Sequence, residues 1–316
     1  MVVASDSTST VSTVRGPILA DELGITLAHD HILFDGWNMS SRWRDYDSIL
    51  DDRALALAEV AQYARAGGRT ICDPTTIGIG RNPTGLAWVS EESDVHIVMG
   101  SGWYRERVYP DYVLAESPNS LAERIIEEFK EGVDGTGVRP GFIGEIGTER
   151  YHITPAEERV FRAAARAQRE IGCVIMTHTT NWGELAIEQI DLLEEEDVPP
   201  DRIIISHLGD RPGIEHLMSV AQRGVWMGVD NLGFSSEYGS LETRADCVRE
   251  MWEAGYGERI MLSNDVCQRS QLSFYGGHGY GNVLTNFVPL LRARGLKKAQ
   301  IQQMLVASPA KAFSII

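Results

Sequence analysis

The 316-residue chain is poor in cysteine: its four thiols (Cys72, Cys173, Cys247 and Cys267) stand far apart with no CxxC spacing. That excludes a disulfide framework and a thiolate zinc site. Positive charge is also short, since 29 Lys and Arg against 45 Asp and Glu leave a formal net charge of −16. A surface that acidic repels phosphate backbones and anionic lipid, so neither nucleic acid nor a membrane surface is an expected partner. No apolar run approaches the roughly 18 residues that a bilayer span needs. The opening stretch from Met1 to Thr10 has neither a basic start nor an apolar core. It does not read as a secretory signal, and a reducing cytoplasm is the expected compartment.

What the chain does have is ordinary globular composition, 43% hydrophobic and 23% charged, and one recurring pattern. Short apolar runs occupy residues 25–29, 69–73, 95–100, 141–145, 173–178, 202–207, 224–230 and 259–265. Each is rich in β-branched residues and lacks polar alternation, as strands buried on both faces of a parallel sheet do. Helical spacing fills residues 51–66, 121–130, 154–171, 184–195, 213–222, 241–254 and 298–306. Thr154-Pro155-Ala156-Glu157 opens one of these with an N-cap, a first-turn proline and a capping-box acid. Eight strands alternating with helices predict an α/β fold of the (β/α)8 TIM-barrel type. No Gly-x-Gly-x-x-Gly follows the first run, which argues against a doubly wound sheet. Residues 1–24 read as a leader and a short hairpin around Arg15-Gly16-Pro17, placed to cap the barrel bottom. Residues 25–316 read as one barrel domain.

The chain holds only eight histidines. Chance would put well under one of them on the roughly 16 positions at the C-terminal tips of eight strands, where barrel active sites lie. Yet His29 and His31 end the first run, His178 ends the fifth and His207 the sixth. Glu145 ends the fourth, and Asp265 ends the eighth. The two-residue strand period sends His29 and His31 to one side, so both can meet one ion. A lone strand-end histidine is usually a hydrogen-bonded structural residue; six converging donors describe a metal cage. Six ligands exceed what one catalytic zinc takes, so two divalent ions are expected, Zn²⁺ first, with Mn²⁺ or Co²⁺ as alternatives. Glu145, between the two histidine sets, is the best placed bridge. His96 and His216 read as structural, and His152 and His278 fall in rim loops.

Several stretches, taken in order, resemble the phosphotriesterase family of the amidohydrolase superfamily. They are Gly16-Pro17-Ile18, Glu22-Leu23-Gly24-Ile25-Thr26-Leu27-Ala28-His29-Asp30-His31, Asp73-Pro74-Thr75-Thr76-Ile77-Gly78-Ile79-Gly80-Arg81, Gly100-Ser101-Gly102-Trp103-Tyr104, His207-Leu208-Gly209-Asp210, Gly228-Val229-Asp230 and Leu262-Ser263-Asn264-Asp265. The resemblance implies a binuclear centre in which His29, His31 and Asp265 hold the buried ion and His178 and His207 the more exposed one. Well-known members bridge the ions with a carbamylated lysine; Glu145 places this chain near the subgroup that bridges with glutamate. It also implies a metal-bridging hydroxide as nucleophile and a homodimer.

On that basis the expected activity is hydrolysis of a carboxylic ester, a lactone first, with Asp265 as proton shuttle. Acyl amides and phosphotriesters are alternatives on the same centre, and so is a ligand-binding relative without catalysis. Tyr104 reads either as a donor to the substrate oxygen or as a core aromatic. Arg81 reads either as a contact for an anionic substrate or as a surface residue. The loop after the eighth run carries Phe274, Tyr275 and His278 among glycines, which describes a mobile pocket wall against a small-molecule substrate. Cys267 is not needed as a nucleophile.

Overall fold

The computed structural model describes residues 9–39, 45–180, 183–211, 213–234 and 239–315. Residues 1–8 of the expected leader lie outside the described residues. The hairpin is present as β1 (Thr10–Thr13) paired antiparallel with β2 (Gly16–Leu19). The barrel strands are β3 (Thr26–Leu27), β6 (Thr70–Asp73), β7 (His96–Ser101), β8 (Phe142–Gly147), β9 (Ile175–His178), β10 (Ile203–Ile205), β11 (Trp226–Val229) and β12 (Ile260–Leu262). They run parallel in chain order, with β3 and β12 at the two ends. The seam is tied where Asp265 N–H donates to the His29 carbonyl at 3.1 Å and His29 N–H to Ser263 Oγ at 2.9 Å. A small ribbon, β4 (Phe34–Asp35) with β5 (Ile49–Leu50), decorates the first βα loop.

Helices α1 (Arg53–Arg65), α2 (Pro83–Ser93), α3 (Asp111–Ala115), α4 (Pro118–Glu131), α5 (Pro155–Ile171) and α6 (Ala186–Glu194) lie in the connections between β5 and β10. Further on come α7 (Glu215–Ala221), α8 (Leu241–Glu253), α9 (Val288–Ala293), α10 (Lys298–Gln302) and α11 (Ser308–Phe313). The capping box at α5 forms as expected, with Thr154 Oγ1 accepting from Glu157 N–H and the Glu157 carboxylate from Thr154 N–H. No helix among the described residues is long and apolar enough to cross a membrane.

Strand residues sort with a period of two into two apolar clusters. Cys72, Val98, Phe142, Met176, Ile204, Trp226 and Met261 form the barrel interior. Ile71, Ile97, Ile143, Ile175, Ile205, Met227 and Leu262 face the helix layer. With both faces apolar, no alternation could show in the sequence. Val11 from the hairpin and Phe313 from α11 close the interior cluster from below. Val14 N–H donates to Ile97 O near the start of β7, which puts the hairpin at the bottom and leaves the opposite rim free.

Candidate metal centre

Six side chains predicted as ligands meet at the C-terminal rim, and most are out of solvent's reach. Side-chain exposure is 1% for His29, 2% for His31, 3% for Glu145 and 4% for His207, against 15% for His178 and 13% for Asp265. Those last two are the most exposed of the six. Among the described residues, three donor groups lie close enough to hold an ion: His29, His31 and Asp265; Glu145, His178 and His207; and His29, His207 and Asp230.

Glu145 stands between the two halves. Its Oε1 is 3.3 Å from His31 Nε2, while Oε2 is 3.0 Å from His178 Nδ1, 3.5 Å from His29 Nε2 and 3.6 Å from His207 Nε2. A bulge puts it there: β8 advances from Ile143 to Ile146 while β9 advances only from Ile175 to Thr177. Gly144 is required at the bulge, because its φ is 129° and a Cβ would come within 2.1 Å of Met176 O. Asp265 Oδ1 faces both His29 Nε2 and His31 Nε2 at 3.5 Å. His207 and Asp265 hold φ values of 64° and 55°, a left-handed backbone that non-glycine residues adopt at a cost.

Behind the ligands lies a layer of buried acceptors. Asp230 Oδ1 accepts from His207 N–H at 2.7 Å and faces its Nδ1 at 3.0 Å, while Oδ2 is 3.5 Å from His29 Nδ1. Thr75 Oγ1 meets His31 Nδ1 at 2.8 Å, and Ser206 Oγ meets His29 Nδ1 at 3.2 Å. Asp30, between the paired histidines, accepts from Ser263 Oγ, Asn264 N–H and Nδ2, and Val266 N–H, so it fastens the turn that carries Asp265. Burial raises the Asp30 carboxyl to about 7.

Electrostatics and donor chemistry both suit cations. Burial works against charge on Glu145, Asp230 and Asp265, but the surrounding imidazoles win and hold all three below the ordinary carboxylate range. Burial also opposes a proton on His31 and His207. Asp265 and Glu145 nonetheless raise His31 to about 10, and Asp230 takes His207 well above its usual value. Burial lowers His29 and brings His178 to about 4. Three buried anions thus demand positive charge at His31 and His207. His29 Nε2 is buried without any hydrogen-bond partner. An orphaned imidazole nitrogen aimed at two carboxylates is what a divalent ion would satisfy.

Tyr104 joins the site, its hydroxyl 3.0 Å from His178 Nε2, and burial keeps the phenol protonated by raising it well above its ordinary value. Arg81 does not join it. Its guanidinium is bonded to Glu128 at 2.8 Å and Asp134 at 3.0 Å, beside a cavity of about 740 Å³ that Trp103 and Tyr112 also line. Phe274 and Tyr275 are exposed and pack edge to face at 5.1 Å; His278 is exposed as well, and no described contact joins the three to the ligands. Tyr275 instead borders a cavity of about 160 Å³ with Ile32, Leu50 and Tyr280. Cys267 is pushed well up by burial and stays a thiol. His96 pairs with Arg15 at the bottom, and His216 Nε2 meets Gly183 O at 2.9 Å, both structural as expected. Asp230 is the residue that sequence reasoning passed over. It ends the seventh run just as Asp265 ends the eighth.

The model of the phosphotriesterase family matches residues 9–313. The phosphotriesterase homology protein of Escherichia coli (strain K12) is 33% identical over 293 residues, 93% of this chain and 99% of that protein. The N-acetyltaurine hydrolase of Danio rerio is 29% identical over 339 residues, 95% and 97% of the two chains. A crystal structure of a lactonase from Listeria monocytogenes superposes with a TM-score of 0.91 at 27% identity, covering 98% of this chain and all of the other, 100%. On sequence, fold and the arrangement of its rim donors, the chain belongs to the phosphotriesterase family.

Proposed function

We propose that this protein is a metal-dependent hydrolase of carboxylic esters, with lactones the first class to test. His29, His31, Asp265, Glu145, His178 and His207 would hold two divalent ions, which would supply an acidified water and polarisation of an acyl carbonyl. The chain's own residues do the rest. Asp265, one of the two more exposed members of the set, takes the proton from the attacking water and delivers it to the leaving group. Tyr104 remains a neutral donor at neutral pH and offers its hydrogen to the oxygen of the ester or lactone. The observation that carries this reading is the Tyr104 hydroxyl 3.0 Å from His178 Nε2, on the more exposed side of the centre. A planar carbonyl presented there needs one polarising ion and one proton shuttle, whereas a phosphotriester needs pockets for three substituents besides.

A second reading, hydrolysis of an acyl amide, is favoured by the likeness to N-acetyltaurine hydrolase at 29% identity. The same shuttle would protonate a departing amine. Comparing kcat/KM of the metal-loaded protein on lactones, linear esters, acyl amides and a reactive aryl phosphotriester decides among them. Lactones or esters should lead. An acyl amide ahead by more than about tenfold, roughly 1.4 kcal/mol in transition-state binding, replaces the ester reading with the amide one. A phosphotriester ahead by that margin overturns both.

A further inference from the structure

Arg105 sits on the rim beside the centre without holding any of its ligands. Gly147 N–H donates to Tyr104 O at 2.6 Å, which carries the chain across the end of β8 and lays the next side chain along Gly147. A Cβ on Gly147 would come within 2.9 Å of Arg105 Cγ and 3.1 Å of His178 Cβ. A side chain at Gly147 would have to displace Arg105 or crowd His178, so the arginine and the histidine flank this glycine. The guanidinium carbon is 4.9 Å from the centre of the Tyr104 ring, the same ring whose hydroxyl touches His178.

The carboxylates around this cation act from a distance: burial opposes its charge, but Glu149, Glu145 and Glu157 more than offset that without touching it. Nη1 donates to Thr180 Oγ1 at 3.2 Å; Glu149, the carboxylate in its ion pair, is 3.7 Å away, beyond hydrogen-bond distance. Nε is buried and has no partner. The side chain is only 11% exposed. Arg81 and Arg244, placed still deeper, are by contrast each bonded directly to a carboxylate at 2.8 Å. A guanidinium with no directly bonded carboxylate keeps hydrogen-bonding capacity for an anion that arrives at the rim.

We propose that Arg105 is a specificity residue that binds a carboxylate on the acyl substrate, so that the preferred ester or amide carries an anionic tail a short chain away from the scissile carbonyl. This rests on the acyl-hydrolase reading. A planar guanidinium beside an aromatic ring matches a carboxylate in shape and charge, and such charge-assisted hydrogen bonds are about twice as strong as neutral ones.

The test uses the metal-loaded protein and two ketones that have no leaving group, levulinate and methyl propyl ketone, titrated by calorimetry. Levulinate should bind at least about tenfold more tightly. That preference should fall to about twofold in Arg105→Gln and survive in part in Arg105→Lys. In kinetics, KM should favour monomethyl succinate over methyl butanoate, and the advantage should collapse in Arg105→Gln. Equal binding of the two ketones by the unmodified protein overturns the proposal, and that comparison needs no variant to fold. So does an Arg105→Gln protein that keeps the full preference, or one that loses both ketones equally along with Tm, which marks a structural arginine. If no ester or amide is cleaved while levulinate still binds through Arg105, the functional reading has failed and the anion site stands. If neutral esters are cleaved best, the functional reading stands and the anion site has failed.

Discussion

Replacing Asp230 with asparagine should weaken metal binding without reshaping the site. One carboxylate here orients two imidazoles that belong to opposite halves of the centre: Oδ1 serves His207, and Oδ2 lies 3.5 Å from His29 Nδ1. Asparagine keeps the volume but turns one of the two acceptors into a donor. Turned one way the amide takes the acceptor from His207; turned the other it removes the negative charge beside His29 and leaves that imidazole's Nδ1 to Ser206 Oγ. Outer partners of this kind are worth 10–100-fold in metal affinity or activity, or about 1.4–2.7 kcal/mol. Competition against a fluorescent chelator, run on the unmodified protein, Asp230→Asn and Asp230→Ala, gives the affinities directly. Both variants should lose at least about tenfold, with Asp230→Ala the worse because it also strands the His207 backbone N–H. Affinities within about threefold of the unmodified protein in both variants would refute the idea of a shared orienting carboxylate.

Elemental analysis after reconstitution should find about two divalent ions per chain; a value near one that Glu145→Ala leaves unchanged contradicts the bridging role. Asp265→Asn should keep much of the metal yet lose about 10²–10⁴ in turnover, and a loss below about tenfold rules out proton transfer there. Glu59, buried on α1, accepts from Ser273 N–H and Oγ and from Phe274 N–H, and so pins the loop after β12. Glu59→Ala should cost about 1–3 kcal/mol in denaturant unfolding and speed proteolytic cleavage next to Phe274 and Tyr275. Unchanged cleavage would mean that the loop is held by other contacts, such as Asp47 on Ser270.

The strands were legible because a parallel barrel buries both their faces, so eight unbroken apolar runs could mean little else. Their ends were less so. The first run shrinks to Thr26–Leu27 in the sheet, because the chain beyond Ala28 leaves the ladder to deliver His29 and His31. Helix α2 went unread although Asn82 caps it and Pro83 opens it; Gly85 inside it breaks the usual pattern, and it packs close against Leu33. The helical stretch expected over 298–306 is interrupted by a wider turn at Gln303–Ala307, where the 3.6-residue period fails. The six candidate ligands could be brought together from the sequence because a strand end fixes both the height and the direction of a side chain. Arg81 shows the limit. It follows a strand by a few residues, but the loop through Gly78 and Gly80, both at φ 97°, leads it to Glu128 and Asp134 instead of the ligands. Nearness in sequence to a strand end carries no direction once the chain has turned.

The positive φ angles at His207 and Asp265 explain why the layer behind the ligands is so well bonded. Each non-glycine residue in that region costs about 1–3 kcal/mol, and glycine would relieve it but could hold no ion. The backbone is therefore held by buried carboxylates that accept from main-chain N–H groups at and beside the ligands. Asp230 takes the N–H of His207 itself, Asp30 takes Asn264 and Val266 on either side of Asp265, and Asp73 takes Ile32 next to His31. Each of these three sits at or near a strand end, where a sequence reading sees only another acid. Their work is to the backbone, and no spacing rule reports it. Because all three bond main chain beside the candidate ligands, and Asp230 an imidazole as well, the side-chain directions are set by the fold itself, which is the preorganisation that a metal centre drawn from five segments requires.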